Sequence, residues 1–368
     1  GSRFKRVIIP DSVRFIEDGA FADCKFLESV VIPESVEAIG NRALASCRRL
    51  KDIVIPESVE IIGIRVFEEC LSLESVKLSN SLSEIPMKSF FNCQRLRSVV
   101  LPGSITMIGK SAFKGCGALE DVVFLGNVTD IGDAAFWNCR NLESINLPDS
   151  LTTIRDDTFF CCVSLTYIKI SESLQSIGKS AFLGCSKLTE IDIPSSVKKI
   201  ETCTFCDCSS LEFVRGLSSV EEIGKAAFGR CTNLKSIEIP NSVSSIGKYA
   251  FSKCASLESI KISNSVLNIG KRAFLGCSEL KDIEFENDFH GKVRSEVFVC
   301  CPRLKCIKIP KEASLEPDIF EECQAIEIII FEEGSRFEAI WQGDRWGIFE
   351  ITDPRVDCTT ERVYVRET

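Results

Sequence analysis

Histidine is nearly absent from this chain of 368 residues, which contains one, His290. General acid–base catalysis and nucleophilic triads rely heavily on imidazole, and His290, between Phe289 and Gly291, reads as a loop residue. No Walker loop, dinucleotide fingerprint or H-E-x-x-H pair occurs. Carboxylates are plentiful but recur at polar positions along the chain, as a solvated surface does. These absences argue against an enzyme, a cofactor or a metal. Lysine and arginine form no block and the net charge is −9, the opposite of a nucleic-acid-binding footprint. No apolar run approaches the roughly 18–20 residues that a bilayer span needs. No signal peptide is visible, but Gly1-Ser2 reads as a cloning scar, so the native start of the protein is expected to lie elsewhere.

A period is present instead. Cys24, Cys47, Cys70, Cys93, Cys116, Cys139, Cys162, Cys185, Cys208, Cys231, Cys254 and Cys277 are spaced 23 residues apart, and Cys301 and Cys323 extend the column after steps of 24 and 22. Isoleucine repeats in phase from Ile16 to Ile269, phenylalanine from Phe21 to Phe274 with Leu44 as its exception, and leucine from Leu27 to Leu280. One unit shows the physical logic. Leu188, Ile191 and Ile193 give L-x-x-Φ-x-Φ, a short strand with one buried face. Pro194 ends it, Ser196 is placed to bond the turning backbone locally, and Val197 with Ile200 suits an inward-facing tight turn or 3₁₀ segment. A glycine often follows the isoleucine, as at Gly40, Gly63 and Gly109, where a corner of positive φ is expected. The phenylalanine fills the core, and the cysteine and leucine after it carry a short helical turn to the next strand. Such a unit cannot bury its apolar face alone, but stacked copies can. The expectation is about 15 coils of 23 residues with parallel strands at about 4.8 Å and right-handed crossovers.

The pattern Ile-Pro-x-Ser-Val-x-x-Ile-Gly-x-x-Ala-Phe-x-x-Cys-x-x-Leu resembles the BspA-type leucine-rich repeats, over about residues 4–340. The resemblance implies an α/β solenoid, a right-handed superhelix with a parallel sheet on its concave face. It also implies a protein of the cell surface or a secreted one, an adhesin-like module that contacts a host or matrix protein. An intracellular interaction scaffold or inhibitor, in the cytoplasm, is the alternative that the many thiols suggest.

Three departures from the period stand out. Val214-Arg215-Gly216-Leu217 replaces Φ-x-Φ-Pro, predicting a weakened or bulged strand. One residue is gained around Asn287–Gly291 and one lost around Ala313–Leu315. Residues 1–340 read as the solenoid and 341–368, with Trp341, Trp346, Phe349, Ile351, Val363 and Tyr364, as a C-terminal cap. No comparable cap precedes Phe4, so further native chain or another molecule is expected to cover that end. The column cysteines project in parallel from neighbouring coils, poor geometry for disulfides, and read as small core hydrophobes. Cys161, Cys203, Cys206, Cys300, Cys306 and Cys358 lie off the column. Cys203-x-x-Cys206-x-Cys208 lacks the second ligand pair that structural zinc usually has, while a disulfide of Cys161 with Cys206, or one using Cys306 or Cys358, stays open.

Between the two Φ positions of each strand the outward residue runs Ile8, Val31, Val54, Lys77, Val100, Val123, Asn146, Lys169, Asp192, Arg215 and onward. The early coils are aliphatic and the later ones charged. Contiguous exposed apolar surface marks contact sites, although β-branched residues also simply suit strands. Val31, Val54, Val100 and Val123, with Tyr167 and Phe213 as aromatic anchors, are the candidate partner-binding residues. Asn127-Val128-Thr129 is a lone glycosylation sequon.

Overall fold

A computed structural model describes residues 4–286, 288–316, 318–320, 322–331, 335, 337–341, 346–350 and 362–365. Ile351 and Cys358 lie outside them. The chain divides into two compact units, Gly1–Leu188 and Thr189–Thr368, each a stack of 23-residue coils.

In the first unit the L-x-x-Φ-x-Φ segments form the strands Arg6–Ile8, Ser29–Val31, Asp52–Val54, Ser75–Lys77, Ser98–Leu101, Asp121–Phe124, Ser144–Asn146 and Tyr167–Lys169. All ladders between them are parallel, and they join the strands in pairs: Val7 opposite Val30, Ile53 opposite Val76, Val99 opposite Val122, Ile145 opposite Ile168. Each Val-x-x-Ile segment reads from the sequence as a tight turn or 3₁₀ segment. It ends instead in a second two-residue strand, and Phe15–Ile16, Ala38–Ile39 and Ile61–Ile62 pair in parallel as a second small sheet. The coil is therefore two-stranded.

The expected helical return does not form. Among the described residues the one helical segment is a 3₁₀ turn at Leu217–Ser219, in the second unit. The cause lies in the backbone: two residues per coil take positive φ, such as Arg42 (54°) and Ser46 (59°), and interrupt any right-handed run. Alternate amides of this stretch then donate to the following coil, Arg42 N to Ile64 O at 2.9 Å, Leu44 N to Val66 O at 3.0 Å and Ser46 N to Glu68 O at 2.6 Å. The amides between them close local turns. The return is thus a third inter-coil ladder, and satisfying its backbone groups this way offsets the left-handed residues.

The glycines after the isoleucine do not take the expected positive φ, which among the described residues falls at Gly19, Gly115, Gly184, Gly216 and Gly276 instead. What Gly63 answers is close approach. A Cβ there would stand 2.3 Å from Asn41 N, on the preceding coil. Serines equivalent to Ser196 bond between coils rather than locally: Ser35 Oγ donates to Val13 O and Ser58 Oγ to Val36 O, each at 2.7 Å.

The core is the sum of the columns. Phe67, Phe90, Phe113, Phe136 and Phe159 are fully buried and stack at ring separations of 5.2–5.6 Å. The cysteine column lies beside them. Cys93 Sγ donates to Phe67 O at 3.2 Å, Cys116 Sγ to Phe90 O at 3.1 Å and Cys139 Sγ to Phe113 O at 3.3 Å, so each thiol ties its coil to the one before.

The second unit repeats this plan through Phe205, Phe228, Phe251 and Phe274, stacked 5.3–5.5 Å apart. Its strand Phe213–Arg215 is not weakened: it pairs in register with Glu190–Asp192. Gly216 at φ 79° leads into the 3₁₀ turn, and the strand is lost one coil later, where Glu238 makes only an isolated bridge to Lys261. The inserted residue shows as a register step, Asn268 opposite Lys292, and the deletion as Lys292 opposite Ser314. Phe289 uses the insertion to enter the core, leaving His290 exposed. Arg362–Val365 runs antiparallel along Ile328–Phe331, and Phe337–Trp341 pairs with Trp346–Glu350 as a hairpin. Trp346 is buried, and its Nε1 donates to Ile326 O at 3.0 Å.

Candidate protein-binding surface

Strand alternation decides which side chains are available. In Ser29–Val31 and Asp52–Val54 the central residue is buried and the last points out, because its neighbours on the chain already occupy the inner face. The outward residues form a row in the first unit: Ile8 (64% exposed), Val31 (43%), Val54 (54%), Val100 (48%) and Val123 (36%). Ile8 is directly opposite Val31, Val54 opposite Lys77 and Val100 opposite Val123. Tyr167 is exposed in the same unit, opposite Ser144.

Phe213 belongs to the second unit and is also exposed. It stands opposite Glu190, and the Arg215 guanidinium lies 5.7 Å from its ring centre while pairing with Glu190 at 2.9 Å and Asp192 at 3.5 Å. Here the outward row is an alternation of charge, Asp192 beside Arg215 and Lys261 beside Glu284 at 3.6 Å. Exposed pairs of this kind contribute little stability, about 0–1 kcal/mol each. Among the described residues, all exposed large hydrophobic side chains but Phe213 and Leu267 fall between Phe4 and Tyr167.

Among the described residues no group of cysteine, histidine and carboxylate side chains is placed to hold a metal ion. Cys203, Cys206 and Cys306 are free thiols. Burial pushes the Cys206 thiol up to about 12, with Asp207 adding to the effect, which disfavours the thiolate that a metal or an electrophile would need. His290 Nδ1 lies 3.1 Å from Asp288 O, within its own loop. Asn127 is exposed and Val128 buried. Among the described residues no helix is long and apolar enough to cross a membrane.

Sequence reasoning missed one surface. On the second strands of the first three coils Phe15 (56% exposed), Ala38 and Ile61 (64%) stand in register with no residue between them. The signal was available as the residue before each isoleucine of the column, but Val-x-x-Ile read as a turn gave it no common face.

Comparison with known proteins agrees with this architecture. No curated protein matches the chain. A leucine-rich repeat protein from Bacteroides ovatus of solved structure is 30% identical with a TM-score of 0.63, covering 84% of this chain and 79% of that one. A leucine-rich cell surface protein from Faecalibacterium prausnitzii is 26% identical with a TM-score of 0.52, covering 91% and 83%. The sequence profile of the BspA type leucine-rich repeat region matches residues 1–119, 106–231 and 205–327. With columns, coils and profile in agreement over most of its length, this chain belongs to the BspA-type leucine-rich repeat family.

Proposed function

We propose that the protein is a cell-surface or secreted adhesin-like module that grips a host or matrix protein with the outward face of its first strands, the face expected to be concave. The observation that carries this reading is the exposed aliphatic row Ile8, Val31, Val54, Val100 and Val123. Open apolar side chains on a rigid sheet gain free energy when a partner covers them, roughly 25 cal/mol per Å² removed from water. Tyr167 and Phe213 serve as anchors on their respective units, since aromatic side chains offer a large contact area at low entropic cost. The name of the Faecalibacterium neighbour supports the surface location, and the repeat itself supports a binding role without catalysis. The buried thiol column is compatible with an oxidising compartment, because a thiol that solvent cannot reach tolerates one, while exposed Cys306 still favours the cytoplasmic alternative.

The test is quantitative binding of the whole chain to a panel of purified extracellular-matrix proteins. Saturable binding to at least one is expected. Val54→Glu with Val100→Glu is expected to weaken it at least tenfold, and Tyr167→Ala with Phe213→Ala by a similar factor. Unaltered affinity in the valine variant, with its circular dichroism intact, would remove the row from the contact. No binding to any member would remove the matrix reading.

A further inference from the structure

The second-strand surface of the first three coils combines two chemistries, and each coil supplies both from adjacent residues: Arg14-Phe15, Glu37-Ala38 and Glu60-Ile61. The first member of each pair lines a groove of about 550 Å³ together with Asp11 and Glu34. The second lines an adjoining hollow of about 380 Å³. Arg14 is engaged by Glu37. Asp11, Glu34 and Glu60 make no ion pair among the described residues, so the groove holds three uncompensated carboxylates beside exposed Phe15 and Ile61. In the following coils the equivalent pairs are Ser83-Glu84, Thr106-Met107, Thr129-Asp130 and Thr152-Thr153, and the combination is gone.

We propose that this surface is a second docking site, independent of the first-strand face, and that its occupant is a protein segment presenting basic side chains next to apolar ones. The argument is charge complementarity on an apolar floor. A cation of the partner meets Asp11, Glu34 and Glu60, while its aliphatic neighbours cover Phe15, Ala38 and Ile61. Like charges across an interface are costly, which excludes nucleic acid and an anionic lipid surface. A small hydrated cation would leave the exposed Phe15 and Ile61 unused. The three-coil span of the floor, about 2 × 4.8 Å across the strands, suits a short extended segment.

The probe is a fluorescent peptide of alternating lysine and leucine, measured by anisotropy against the whole chain. Peptides of alternating lysine and serine, and of glutamate and leucine, are the controls. Saturable binding of the lysine–leucine peptide is expected, at least tenfold tighter than either control. Glu34→Lys with Glu60→Lys, and separately Phe15→Ser with Ile61→Ser, should each weaken it at least tenfold. The single exchange Ile61→Thr should weaken it by a smaller factor with the fold preserved. Val54→Glu with Val100→Glu should leave it unchanged, which separates this site from the first-strand face. Equal binding of the lysine–serine peptide would reduce the site to bare electrostatics and overturn the proposal. So would unchanged affinity in both double variants, a loss caused by the valine variant, or no binding at all.

Discussion

The cysteine shows what a single residue contributes to this repeat. Its spacing identifies it as a core position, and Cys70, Cys93, Cys139, Cys231 and Cys254 are indeed fully buried. Spacing does not show that each Sγ–H reaches a carbonyl of the preceding coil, Phe113 O for Cys139 and Leu44 O for Cys70. That contact joins residues 26 apart, one period plus the three residues from phenylalanine to cysteine, and becomes visible only once the coils are stacked. Burial pushes these thiols well above their ordinary range, and those of Cys47 and Cys277 up to about 12.

 The thiolate is the form that reacts, so at pH 8 the native column is expected to resist iodoacetamide while exposed Cys306 is labelled. Labelling of Cys70, Cys93 and Cys139 should appear only once denaturant is added. Mass spectrometry of the peptides reads the outcome, and equal native rates for Cys306 and Cys139 would contradict the buried column.

At the scale of the element, the period-2 pattern of the first strands was legible because alternation is a strong signal over even three residues. The second strand was not: two residues carry no periodicity, and Val-x-x-Ile fits a turn equally well. The return segment misled for a different reason. Phe-x-x-Cys-x-x-Leu has helical spacing, but the left-handed residues that break the helix include Arg42, Lys88 and Tyr249, which give no compositional warning. Conformation there is set by hydrogen bonds to the next coil, a tertiary cause. The register step near the end of the second unit is held by a comparable local device. Glu316 accepts hydrogen bonds from Ser295 N at 2.9 Å and Arg294 Nη1 at 2.9 Å, with Lys292 Nζ at 3.1 Å. The Ser295 amide first, and then the two cations, hold its carboxyl down at about 2. A carboxyl depressed in the folded state contributes stability that is fully present above its unfolded pKa, near 4.3, and is lost as pH falls towards 2. Denaturant titrations between pH 5 and pH 2 are therefore expected to show a decline in stability that Glu316→Gln reduces. An identical slope in the variant would mean that Glu316 does not contribute to it.

For the molecule as a whole, the columns made the fold legible and left the function open. Identical side chains at Ile39, Ile62 and Ile85 define the interior, whereas the proposed binding rests on what varies, such as Val54 giving way to Lys77 on the same face. A stack of this kind couples each coil mainly to its neighbours, and that coupling can be measured in the first unit. Phe113 lies between Phe90 at 5.2 Å and Phe136 at 5.4 Å. Phe113→Ala removes a fully buried ring, a change that typically costs about 3–5 kcal/mol, and withdraws one stacking partner from each neighbour. Hydrogen exchange is expected to rise most at the amides of Phe113, Phe90 and Phe136, which donate to Ala135, Ala112 and Thr158 of the following coils. The rise should fade towards Leu44, which lies three coils from Phe113 and whose amide bonds to Val66 of the next coil. If protection instead fell by the same factor at Leu44 as at Phe90, the unit would open as one cooperative body, and nearest-neighbour stacking would not describe its energetics.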